Sequence, residues 1–188
     1  YRVALELIEG LWNRIEVDGR PHSHSFTSAG NEKRVAIVTQ TRESSTVTSG
    51  IQDLLVLKTT GSAFQGYIKD KLTTLKETDD RIFATNMNVR WEYTKRDVNY
   101  SACHDTVRKA LLETFAEQNS LSVQHTVYAM GQAALEKCAD IAEIKITTPN
   151  KHCLLANLEP FGMENRNEIF VPTDEPYGLI EGVIRRGK

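Results

Sequence analysis

Between Arg81 and Tyr93 the side chains sort themselves by parity. Phe83, Thr85, Met87, Val89, Trp91 and Tyr93 occupy one set of positions, and Asn86, Asn88, Arg90 and Glu92 crowd the other. Side chains on a strand alternate between its two faces, so this pattern predicts a strand with one covered face and one polar face. One-sided coverage is the mark of an antiparallel sheet, because parallel sheets are usually buried on both sides. The rest of the chain must therefore supply a layer for that apolar face.

Two segments have the period to do so. From Asp105 to Gln118, the residues Val107, Leu111, Thr114 and Phe115 recur at steps of three and four. From Ser122 to Cys138, Val127, Met130, Ala134, Leu135 and Cys138 do the same. Both predict amphipathic helices, with Met130 and the aromatic positions read as core stripe. The link Asn119-Ser120-Leu121-Ser122 offers Ser120 or Ser122 as cap of the second helix.

Further strands are expected around these elements. Val3 to Ile8 and Leu11 to Val17 read as two strands, followed by turn chemistry at Val17-Asp18-Gly19-Arg20-Pro21. Lys33 to Thr41 and Leu54 to Thr59 are further strand-like runs. After the helices come Ala142 to Thr147, a turn at Thr148-Pro149-Asn150-Lys151, a strand from His152 to Leu158, and a last strand from Leu179 to Arg185. Strands, two helices and more strands with short connections predict an α+β fold, an antiparallel sheet with two helices packed on one face. The strands before Gly50 have no helices of their own. Residues 1–49 therefore read as the closing strands of an earlier unit, and 50–188 as a second unit.

Composition removes several function classes. A chain of 188 residues with 40% apolar and 26% charged side chains can bury a core and is neither disordered nor a membrane helix bundle. The apolar runs Ile51 to Leu57 and Gly178 to Ile184 are far too short to span a bilayer as helices, and no secretory leader pattern opens the chain. A net charge of −2 argues against a nucleic-acid surface. The one basic cluster, Arg185, Arg186 and Lys188, reads as a solvated tail. Cys103, Cys138 and Cys153 show no metal spacing and read as reduced thiols.

The familiar local motifs for phosphate, dinucleotide, zinc and calcium binding are absent from the sequence, as is the nucleophile elbow. His22 and His24 would share a strand face but have no third ligand nearby, so polar strand residues are the simpler reading. Three polar segments sit at element ends. They are Thr59 to Arg81, rich in Thr, Gly and charge; Ser122-Val123-Gln124, where a helix start leaves free N–H groups; and Pro149-Asn150-Lys151-His152.

Together these segments resemble the urate oxidases. The resemblance is carried by Val56-Leu57-Lys58-Thr59-Thr60-Gly61-Ser62-Ala63-Phe64 and by Thr73-Thr74-Leu75-Lys76-Glu77-Thr78-Asp79-Asp80-Arg81-Ile82. It continues in Phe115-Ala116-Glu117, Ser122-Val123-Gln124, Pro149-Asn150-Lys151-His152 and Asp174-Glu175-Pro176-Tyr177-Gly178, covering nearly the whole chain.

The resemblance implies a tunnelling fold (T-fold), two related units per subunit, and a homotetramer with active sites between subunits. It also implies oxidation of urate by dioxygen to 5-hydroxyisourate and hydrogen peroxide, with no metal or organic cofactor. Phe64 would stack on the flat purine, Arg81 would grip its edge through a planar fork, and Gln124 with the Val123 N–H would pair with the opposite edge. Asn150 would hold dioxygen or water over the ring, and His152 would belong to a proton relay. The family's relay lysine and threonine belong to an amino-terminal half that this sequence does not include, which a separate chain could supply. A bacterial, cytoplasmic setting is expected, since the end lacks the peroxisomal Ser-Lys-Leu signal. Two alternatives stand beside this: a pterin-handling enzyme of the same fold, which would favour an acid at Gln124, and a purine-binding or assembly fragment without turnover.

Overall fold

The computed structural model describes residues 1–73 and 77–187. Thr74, Leu75 and Lys76 of the long loop motif, and Lys188 of the basic cluster, lie outside the described residues. A single antiparallel sheet organises the chain: β1 (Arg2–Val17), β2 (Arg20–Thr41), β3 (Ser45–Lys58), β4 (Phe83–Tyr93) and β5 (Ile141–Leu155) are neighbours in that order. Two short strands share the outer edge of β5. β6 (Phe170–Thr173) pairs with residues 152–155, and β7 (Leu179–Arg185) pairs with residues 143–149. Helices α1 (Tyr100–Glu117) and α2 (Val123–Lys137) cover one face.

The α+β fold agrees with the sequence reading, and the alternation of β4 is the reason. Phe83, Thr85, Met87, Val89 and Trp91 are all buried, and the four apolar ones share a core with Val107, Leu111 and Phe115 of α1 and Val127, Met130 and Ala134 of α2. α2 begins where expected: Ser122 caps it by accepting the His125 N–H at 3.1 Å, while Ser120 accepts a hydrogen bond from the Thr126 hydroxyl. α1 begins five residues earlier than its apolar period indicates. Asn99 accepts the Ala102 N–H there, and the first turn buries Cys103 and His104.

Three local expectations need correction. β1 is one strand rather than two, because a register shift between Gly10 and Trp12 absorbs the break without ending the pairing. Thr148-Pro149-Asn150-Lys151 is not a turn but the middle of β5. Asn150 and Lys151 pair with Thr85 and Ala84 of β4, and the Asn150 N–H bonds to the Gly178 carbonyl at 2.9 Å. Arg186 is no solvated tail. It donates to the carbonyls of Leu135, Cys138 and Ile141, satisfying the end of α2, where a cation also complements the helix dipole. The turn after β1 is as expected: Asp18 and Gly19 both take positive φ, the conformation a two-residue hairpin requires.

Close approach explains one glycine. A Cβ on Gly50 would lie 2.4 Å from the backbone oxygen of Val89 on the neighbouring strand. Gly50→Ala should therefore lower stability by about 1–3 kcal/mol, the usual range for overpacking. Thermal unfolding checks this, and an unchanged midpoint would mean that β3 and β4 separate freely at that point.

Cys103 and Cys138 meet in the core with their sulfurs 2.6 Å apart, and burial pushes the Cys103 thiol far above its ordinary range. His22 and His24 pack edge to face at 4.6 Å on β2. Among the described residues no group of three or more potential ligands is placed to hold a metal ion. No helix among the described residues is long and apolar enough to cross a membrane. Val3, Leu5, Leu7 and Trp12 leave an apolar row exposed along β1.

Candidate active site

The register of the sheet brings the polar segments to one pole. Thr85 lies on the helix-covered face, and Asn150 is its cross-strand partner, so Asn150 shares that face. His152, two residues on, points the same way. α2 runs alongside β7, as a Cβ on Gly182 would meet Val127 and one on Gly131 would meet Ile184. Its first turn, with Val123 and Gln124, therefore sits over the level of Ile180, whose partner on β5 is Thr148. Arg81 and Phe64 belong to the long connection between β3 and β4, which leaves and re-enters the sheet at this same end, where Lys58 pairs with Phe83.

That connection is pinned rather than loose. Phe64 and Thr78 exchange backbone hydrogen bonds at 2.9 and 3.1 Å. The Ala63 N–H reaches the Ser120 carbonyl at 2.7 Å, and the Ser120 N–H reaches the Gly61 carbonyl at 2.9 Å. The loop that carries Phe64 is thereby bonded to the entrance of α2. Lys58 donates to the carbonyls of Phe115 and Gln118 at 3.1 and 2.5 Å, closing the end of α1 beneath it. Burial holds the Lys58 ammonium below its ordinary pKa, with the Asp80 charge acting in the opposite direction.

Phe64 and Arg81 are in contact, the guanidinium carbon lying 5.2 Å from the ring centroid, within cation–π range. Tyr67 stacks on the same ring at 4.5 Å with the planes 16° apart. Burial lowers the Arg81 pKa, though a guanidinium remains charged. Its Nε is buried without a hydrogen-bond partner among the described residues, a costly state for a polar group.

On α2 the Ser122 side chain serves the His125 N–H, which leaves the N–H groups of Val123 and Gln124 without intrahelical acceptors. Val123 itself is buried, whereas the Gln124 side chain is exposed in a shallow groove beside Tyr128 and Ile180. Arg81 lines a different groove, along Thr59, Ile82, Leu154 and Phe170. The structure thus joins Phe64 to Arg81 and sets Asn150 and His152 on one face. It places Gln124 at the same pole, in a groove separate from the one that Arg81 lines. Sequence reasoning gives no role to Asp80 or Lys58, because neither falls in a periodic pattern. The only trace of either is its place within the polar loop motif.

An antiparallel sheet backed by two antiparallel-running helices, with this loop set at one end, defines a protein of the T-fold type. A family model described as uricase matches residues 47–181. The chain is 45% identical to the uricase of Arthrobacter globiformis over 176 residues, which is 94% of this chain and 57% of that protein. It is 38% identical to the uricase of Oryctolagus cuniculus, covering 98% and 64% of the two. The crystal structure of the Arthrobacter globiformis uricase superposes with a TM-score of 0.91 at 43% identity, covering 98% of this chain and 63% of that one. This chain belongs to the uricase family. It spans 57% to 66% of the length of the four curated relatives compared.

Proposed function

We propose that the chain forms the substrate-clasping part of a urate oxidase. In the reaction, urate, dioxygen and water give 5-hydroxyisourate and hydrogen peroxide, with no metal or organic cofactor. Urate passes one electron to dioxygen, the radical pair combines as a peroxide on the purine, and water displaces that peroxide. The observation that carries this reading is the Phe64–Arg81 contact, held against the start of α2 in a chain of the uricase family. In this reading a flat anion lies against the aromatic ring and the planar fork of the guanidinium grips its edge. The amide of Gln124 and the N–H groups of α2 supply donors and an acceptor for a lactam edge. Asn150 would hold dioxygen or water above the ring, and His152 would pass a proton.

In this reading residues 1–49 are the closing strands of a first T-fold unit and 50–188 the second, with β3 running through the junction. The exposed apolar row of β1 supports assembly with further copies, in a homotetramer whose sites lie between subunits. An amino-terminal portion, covalent or separate, completes each site, and the setting is cytoplasmic.

The assay is loss of urate's ultraviolet absorbance under air, with and without an added amino-terminal portion. Turnover is expected once that portion is present. Failure to consume urate in its presence rejects the enzyme reading, and urate binding without consumption then favours a binding module. His152→Ala is expected to depress kcat by roughly 10²–10⁴-fold, the usual contribution of a positioned proton-transfer group. Turnover unchanged across the whole pH range would remove His152 from the relay.

A further inference from the structure

The carboxylate of Asp80 stands at the root of the loop that carries Phe64 and Arg81. Its Oδ2 accepts the Thr60 hydroxyl at 2.5 Å, and its Oδ1 accepts the N–H groups of Ser62 and Arg81, both at 3.1 Å. The Asp80 carbonyl accepts the Thr78 hydroxyl at 2.9 Å. An aspartate in an ordinary solvated loop bonds to its own neighbours in an Asx-turn. Asp80 instead reaches partners 18 and 20 residues away, on the opposite limb of the connection.

Both limbs lead directly into the clasp. Arg81 follows Asp80 in the chain, and its own N–H is one of the three donors. Ser62 lies two residues before Phe64, and Ser62 and Ser120 form the bridge that ties this limb to the entrance of α2. One charged group therefore fixes the spacing between the two backbones from which the ring and the guanidinium project.

We infer that Asp80 is a positioning residue: it sets the distance and angle between Phe64 and Arg81 and so governs how tightly a flat anion is held. This rests on the substrate reading given above. The donors, Thr60 first and then Ser62, hold the Asp80 carboxyl below its ordinary pKa, so the carboxylate stays charged. A depressed acid keeps its bonds above its unfolded pKa and loses them only as pH falls through the folded value. The clasp should then keep its geometry from neutral pH down to about 4, the ordinary aspartate value.

The test uses the complete assembled enzyme with Asp80→Ala, Asp80→Asn and Thr60→Val, read by steady-state kinetics on urate and by amide hydrogen exchange. Asp80→Ala should raise KM for urate roughly ten-fold or more, in line with loss of hydrogen bonds to a charged group, with kcat changed less than KM. Asp80→Asn can still accept at one oxygen and should fall between Asp80→Ala and the parent. Thr60→Val should produce part of the effect, and added to Asp80→Ala it should do nothing more, because Asp80→Ala already removes the Thr60 bond. The amides of Ser62 and Arg81 should exchange faster in Asp80→Ala.

A KM unchanged in both Asp80 variants, with urate still oxidised by the parent, overturns the positioning role and leaves the function standing. A fall in kcat alone overturns it too. Should the parent fail to take urate, the substrate reading falls, and the exchange rates at Ser62 and Arg81 still decide whether Asp80 holds the loop. If Asp80→Ala does not fold, Asp80→Asn and Thr60→Val carry the same comparison.

Discussion

Arg81→Ala in the assembled enzyme is expected to raise the KM for urate roughly 10- to 150-fold, because a hydrogen bond to a charged group is worth about 1.5–3 kcal/mol. The guanidinium lies against the Phe64 ring and is partly buried, with Nε unpartnered among the described residues. On the proposed reading its planar fork is the group that grips the edge of a flat anion. Arg81→Lys should recover little of the loss, since an ammonium cannot reproduce a planar fork. Calorimetric titration with urate or a purine analogue measures the same loss without turnover. A variant that binds as tightly as the parent removes Arg81 from the site.

The second large effect is expected in the core. Leu111 is fully buried on the face of α1 that meets the sheet, with no exposed surface. Leu111→Ala should cost about 2–5 kcal/mol through lost burial and the cavity left behind. For a chain of this size that corresponds to a fall in Tm of roughly 4–20 °C, at about 2–4 °C per kcal/mol. A fall below about 2 °C would show that the helix layer collapses into the space, and so that α1 is less firmly seated than its burial implies.

Whether a feature of this fold is legible in the amino-acid sequence depends on which force decides it. β4 is legible because its parity is set by burial alone, and α2 because both its stripe and its Ser122 cap agree. The first turn of α1 is not, since Tyr100-Ser101-Ala102 carries no apolar period and Asn99 is recognised as a cap only once the Ala102 N–H is seen on it. Pro149-Asn150 has the composition of a turn. Pairing with β4 and with the segment before β7 overrides that local preference, a tertiary effect that propensity cannot register.

The site divides in the same way. The placing of Asn150 and His152 on one face follows from a spacing of two once the strand is known. The meeting of Phe64 with Arg81, seventeen positions apart across a loop, follows from no periodicity. Only the likeness to a family suggests it, and the bonds made by Asp80 and Ser120 give it a physical cause.

One strand carries both the ruler and the tool. Ile144, Ile146 and Thr148 of β5 are locked inward by the core, and Asn150 and His152 continue the same parity beyond it. Inserting or deleting a single residue between Ile146 and Asn150 would keep both polar side chains yet turn them to the far surface. Lengthening the Thr59 to Ile82 excursion by a residue away from its pinned root would not. Natural variants of this chain should therefore tolerate length changes in the loop and resist them in that short stretch of strand.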